Sequence, residues 1–170
     1  DARRADQRVD PAAGEAGGGA SGSPRYFSFD YADVHIVVLD SESSSLSARS
    51  PMLRWLREDL AANRQPWTLA LFHHPPYSRG SHDSDRWRDS WGRMVYVRAN
   101  VLPLLEAAGV DLVLSGHSHV YERSHLLACH YGTSDTLRPE MILDGNGGGP
   151  QQPYRKPAGR VPHGGTVYAV

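Results

Sequence analysis

WTLALFHHPPYS, residues 67–78, decides the fold. Its first seven residues form a short apolar run between Pro66 and the prolines at 75 and 76, the pattern of a strand buried on both faces. The run ends in two histidines. It opens into a long polar loop, HPPYSRGSHDSDRWRDSWG (74–92), and long loops in compact domains tend to carry function. DLVLSG (111–116) is a second buried run, and it too ends on histidine, at HSH (117–119).

Working upstream, VHIVVLD (34–40) is β-branched and reads as a strand, and YFSFDY (26–31) alternates as a half-buried one. Ala32-Asp33 between them predicts a tight hairpin. SPMLRWLREDLAAN (50–63) predicts a helix with Ser50 as N-cap and Pro51 in the first turn. Leu53, Leu56 and Leu60 give it an apolar stripe, with Trp55 beside it. VYVRANVLPLLEAAG (95–109) predicts a helix interrupted or restarted at Pro103 and capped by Gly109. YERSHLL (121–127) and GTVYAV (165–170) read as further strands, with 129–165 loop-like. Alternating strands and helices imply an α/β fold, a mixed and largely parallel sheet flanked by helices with right-handed crossovers. Hairpins at both ends are expected to make it mixed. Residues 1–24 hold one valine and no other large apolar side chain, so they read as a flexible linker or the loop remnant of something upstream, with the domain over 25–170.

Composition narrows the function classes. The 170 residues are 39% hydrophobic and 22% charged, enough for a core. The net charge of −1 gives no support for a nucleic-acid partner, and no apolar run approaches the roughly 20 residues of a membrane span. Of 18 Lys+Arg residues only Lys156 is lysine, which reflects codon usage. Cys129 is the single cysteine, so no intrachain disulfide forms, and it reads as a buried or incidental thiol. GNGGGP (145–150) lacks the context of a phosphate loop and reads as a turn or flexible loop. Arg79, Arg86, Arg88 and Arg93 are offset by Asp83, Asp85 and Asp89, the pattern of a solvated loop.

In parallel α/β sheets ligands bind at the carboxyl ends of the strands. Those ends carry His73-His74, Gly116-His117-Ser118-His119 and Asp40-Ser41-Glu42. Imidazole is the commonest neutral metal ligand. Residues i and i+2 of an extended segment project to one side, so His117 and His119 are expected to aim together, with Gly116 allowing the bend. Three histidines at two strand ends point to a metal site. Asp40 reads as a loop cap.

LALFHHPPYS followed by LVLSGHSHVYERS resembles the calcineurin-like metallophosphoesterases, specifically the purple acid phosphatases and their bacterial relatives. The family's V-x-x-H stands here as Ala70-Leu71-Phe72-His73, and its G-H-x-H as Gly116-His117-Ser118-His119. Tyr121-Glu122-Arg123-Ser124 matches the extension of the purple acid phosphatase branch. The resemblance covers residues 25–170. It implies half of a four-layer sandwich and hydrolysis of phosphate monoesters, with diesters as an alternative, at two metal ions (iron with zinc, manganese or iron). It implies that His73 and His117 bind one metal and His119 the other. His82 falls where the family places a histidine near the substrate phosphate, a solvated loop histidine being the alternative. His74 is a supporting residue on the same pattern. Many members are exported, so the resemblance implies a secreted or periplasmic setting.

The family's G-D-x-G, G-D-x-x-Y and G-N-H-D/E motifs, which carry its carboxylates, do not occur in the chain. Three imidazoles cannot neutralise two multivalent cations. The expectation is therefore a C-terminal half of a catalytic domain, partnered by a missing N-terminal half and inactive by itself. The rival expectation is a non-catalytic α/β module with a mononuclear three-histidine site.

Overall fold

The computed structural model describes residues 17–145 and 152–170. Residues 1–16 of the expected linker, and 146–151 with most of GNGGGP, lie outside them. β1 (Phe27–Tyr31) and β2 (Val34–Val38) form the expected hairpin, with Tyr31 opposite Val34. Ala32 turns the chain with φ +53°. β3 (Trp67–Leu71), β4 (Leu112–Leu114) and β7 (Val167–Ala169) add in parallel, giving the order β1-β2-β3-β4-β7. The antiparallel β1–β2 pair makes the sheet mixed at one end, and antiparallel bridges to β7 and Thr166 do so at the other. At the other end β7 enters parallel to β4, and residues 122–127 run antiparallel along its free edge, so the expected antiparallel pairing is present as bridges and not as a tight hairpin. There β5 (Leu126–Leu127) pairs antiparallel with β6 (Ile142–Asp144) in a separate two-stranded sheet. The strand expected over 121–127 shrinks to β5 and two isolated bridges, Arg123 to Ala169 and Leu127 to Thr166.

α1 (Pro51–Ala62) begins as its sequence dictates: the Ser50 hydroxyl accepts from the Leu53 N–H, with Pro51 in the first turn. The second helical segment starts at Arg93, two residues earlier than expected. It runs as α2 (Arg93–Tyr96), a π stretch over Val97–Val101 and α3 (Leu102–Ala107). The π stretch lies where the Pro103 ring would clash with the carbonyl one turn back, so the helix widens and does not break. Gly109 (φ +75°) closes α3, with its N–H on the Glu106 carbonyl and the Val110 N–H on that of Leu105, both at 3.0 Å.

Register lines up Val37, Ala70, Val113 and Tyr168 on the face covered by the helices, where they join Leu53, Leu56, Leu102 and Leu105 in one core. The opposite face carries Phe27, Val38 and Leu71 in register, half-buried, with Leu114 exposed. Residues 17–24, inside the stretch expected to be linker, include Gly19, whose N–H donates to Asp59 (3.0 Å). Asp59, buried on α1, also accepts from Ser28 and His35.

His35 is 2% exposed and clamped between Asp30 (2.7 Å) and Asp59 (2.9 Å). Burial alone would lower its pKa, but hydrogen bonds and charge from both carboxylates outweigh it and raise the pKa above 6.5. A raised folded-state pKa gives stability that is fully present below the unfolded value and lost as pH rises through the folded one. Urea unfolding should therefore show His35→Gln costing more stability at pH 6 than at pH 9. An equal cost at both would rule out a charged His35.

Candidate metal centre

Leu71 stands opposite Leu114 in the parallel β3–β4 pair, so the residues after them leave the sheet side by side. Backbone bonds continue the pairing beyond the strands: Phe72 N–H to the Leu114 carbonyl (3.2 Å) and Gly116 N–H to the His73 carbonyl (3.0 Å). This brings His73 Nε2 and His117 Nδ1 to 3.0 Å. The His74 ring lies 4.5 Å from that of His117, and His82 stacks on it at 3.9 Å. Two groups of potential ligand atoms, each within 4.8 Å of one another, result: His73, His74 and His117, and His82, Asp89 and His117.

The hydrogen bonds fix the tautomers. Burial would raise the Asp89 pKa, but bonds from the Asp83 N–H, His82 and Ser90 outweigh it and hold it at about 2. Asp89 is therefore an acceptor only. It takes the His82 Nδ1–H and the Ser90 hydroxyl proton, both at 2.8 Å. With its one proton committed, Ser90 Oγ must accept from His117 Nε2–H, at 2.6 Å. His117 Nδ1 is thereby left without a proton and accepts from His73 Nε2–H at 3.0 Å, a proton that a bound ion would displace. Burial, then the neighbouring His82 and His73, lower the His117 pKa and keep it neutral. A ligand imidazole needs this arrangement: one nitrogen free, the other anchored by a hydrogen bond.

Ser90 reaches His117 through an uncommon backbone. Ser90 (φ +50°), Trp91 (φ +56°) and Gly92 (φ +74°) are consecutive left-handed residues. Such a conformation costs about 1–2 kcal/mol for each non-glycine. Glu122 holds the start of this loop, accepting from the Ser78 hydroxyl (2.6 Å) and the Arg79 N–H (3.0 Å). Gly80 passes so close to the 118–120 turn that a Cβ on it would meet Val120 Cγ2 at 2.4 Å.

His74 is buried, with Nδ1 3.1 Å from Ser41 Oγ and Nε2 3.5 Å from Glu42. Burial, then His117, lower its pKa to about 4. Asp40 accepts from the Glu42 and Ser43 N–H groups and the Ser44 hydroxyl, as a loop cap does.

His119 belongs to neither histidine group among the described residues. It is exposed, and its N–H donates to Ser81 Oγ (2.9 Å). The expectation that it projects with His117 assumed an extended segment. His117 instead has φ +67°, and Ser118 and Val120 donate back two residues, to Gly116 (2.7 Å) and Ser118 (2.9 Å). The left-handed residue is His117 itself, and Gly116 does not have a positive φ. Asp89 and Ser90 escaped the sequence reading, because no local pattern marks a carboxylate that acts through a hydroxyl on a distant imidazole.

The donor set fits a nitrogen-bound divalent ion at His73 and His117. The family model for calcineurin-like phosphoesterases matches residues 10–121. This chain belongs to that family. The curated relatives it matches include purple acid phosphatase 18 of Arabidopsis thaliana, 35% identical over 142 residues, which are 80% of this chain and 30% of that protein. Phosphoenolpyruvate phosphatase of Allium cepa is 31% identical, over 76% of this chain and 28% of its own. The chain thus spans under a third of either. Purple acid phosphatase from yellow lupin (Lupinus luteus) seeds shares the fold, with a TM-score of 0.58 at 18% identity over 85% of this chain and 22% of that one.

If Ser90 sets the His117 tautomer, Ser90→Ala should weaken zinc binding by about 10- to 100-fold. Calorimetric titration of the folded variant reads this directly, and unchanged affinity would remove Ser90 from the site.

Proposed function

We propose that this chain forms part of a metal-dependent phosphoesterase acting on phosphate monoesters, with diesters as a further class. The observation that carries the reading is the His73–His117 nitrogen pair at adjacent strand ends of a calcineurin-like phosphoesterase. His73 through Nε2 and His117 through Nδ1 would hold one ion. His119 would serve a second, of an iron centre completed by zinc, manganese or iron. His119 is exposed and lies outside the His73–His74–His117 ligand group, as a ligand to a different ion would. The carboxylates of a two-ion centre would come from beyond the described residues, with 25–170 as the C-terminal part of the catalytic domain and 1–24 as a linker or loop remnant, the bonds of Gly19 to Asp59 and Trp55 favouring the latter for its end. When bound, the ions supply Lewis acidity and lower the pKa of a coordinated water.

The chain's own residues contribute proton handling. His82 gives Nδ1–H to ionised Asp89, which leaves Nε2 to carry a proton toward a leaving alkoxide. Asp89 orients the ring through that hydrogen bond. Arg93 braces the floor of the site by donating to the Ser41 and Ser44 carbonyls (2.9 and 3.1 Å).

The experiment is hydrolysis of p-nitrophenyl phosphate by the full-length enzyme that contains this chain. His117→Ala should abolish turnover together with metal content. His82→Ala should lower kcat by about 10²- to 10⁴-fold with metal content unchanged. Full turnover in His117→Ala would overturn the metal assignment. Residues 1–170 alone should show little or no hydrolysis.

The grouping of His73, His74 and His117 favours a second reading, a binding module with one nitrogen-held ion. One zinc at this cluster per full-length protein, without hydrolysis, would select it.

A further inference from the structure

A second convergence of ligand atoms lies away from the histidine cluster. β7 runs parallel to β4, and the residues around Thr166 lie at the end of the sheet opposite His117. There Glu106, from the last turn of α3, meets Cys129 and His163, and their ligand atoms lie within 4.8 Å of one another. Cys129, expected to be buried or incidental, is exposed, and its Sγ is 3.5 Å from His163 Nδ1. His163 Nδ1 is 3.9 Å from Glu106 Oε2.

We propose that Glu106, Cys129 and His163 form a zinc-class metal site, separate from the phosphoesterase centre, with its remaining coordination position open to solvent.

Three observations support it. The first is which atoms converge. In a thiol–imidazole–carboxylate relay the acid and the thiol would occupy opposite ring nitrogens. Here both face the same nitrogen, Nδ1, so the three atoms surround a common point and cannot pass a proton along a line. The second is distance. Zn–S of about 2.3 Å and Zn–N of about 2.0 Å in tetrahedral geometry place S and N about 3.5 Å apart, the separation seen. The N···O side is wider than the roughly 3.3 Å of a tetrahedral pair, and the His163 side chain, 44% exposed, is free to close it.

The third is charge. Glu106 is 1% exposed, and among the described residues its only potentially cationic partner is His163. It is satisfied by neutral donors: the Cys129 N–H (2.6 Å) and Tyr131 hydroxyl (2.8 Å) on Oε2, and the Tyr168 hydroxyl (2.6 Å) on Oε1. Those bonds hold Oε2 in place beside the thiol. A thiolate, a carboxylate and a neutral imidazole together balance a dication, and this soft and borderline set suits zinc over magnesium or calcium. On binding, the Cys129 proton passes to solvent.

Because the chain has one cysteine, thiolate-to-cobalt charge transfer reports on this site alone. The chain Asp1–Val170, kept reduced, is titrated with cobalt(II) chloride. The expected result is a near-ultraviolet charge-transfer band that saturates at one ion, is displaced by zinc, and is lost in Cys129→Ser and His163→Ala. It should persist in His117→Ala, which separates it from the centre at the other end of the sheet. Glu106→Gln should weaken it, and since Glu106 also anchors Tyr131 and Tyr168, His163→Ala decides if that variant does not fold. Cobalt uptake without the band overturns the proposal, as does a band unchanged in His163→Ala.

Discussion

The parallel pairing of β3 with β4 is the constraint on which the rest of this structure depends. Parallel neighbours cannot be joined by a tight turn, so the chain must cross back over the sheet through a long connection. The 74–92 loop falls before that crossover and is confined to the carboxyl edge. The pairing continues past the strands through the Phe72–Leu114 and Gly116–His73 backbone bonds, which fix the two histidines by main-chain geometry. The loop then supplies Asp89 and Ser90 to hold His117 in one tautomer. Strand register thus reaches the proton positions of the site in three steps.

A second theme is the use of buried carboxylates to dock helices on the sheet. Asp59 on α1 accepts from Ser28 on β1 and His35 on β2. Glu106 on α3 accepts from Tyr168 on β7. Apolar packing alone tolerates small slips of a helix over a sheet, whereas a buried charge left without its donors costs several kcal/mol. These two acids make the helix positions discrete.

What was legible in the sequence was what is local. Ser50, Pro51 and Gly109 mark helix ends because capping acts over four residues, and the apolar runs mark the central strands because burial leaves no alternation. The convergence of His73 with His117 was legible from strand order. The left-handed backbone at His117 was not, since a neutral sequence pattern hides a positive φ on a non-glycine residue. Nor was the bond from Ser90 to His117, which depends on three successive left-handed residues. Pro103 announced an irregular helix but not its form, because a widened turn and a break relieve the same clash.

The face of the sheet turned away from the helices has a thermodynamic consequence. Phe27, Val38, Leu71 and Leu114 form one apolar row across four strands, and Phe29, Ile36, Leu69 and Leu112 form a second. Each Å² of such surface removed from water returns about 25 cal/mol. Leu114 is 37% exposed and its row-mates are half-buried, so this face contributes less of that free energy than the fully buried row of Val37, Ala70 and Val113 on the helix-covered face.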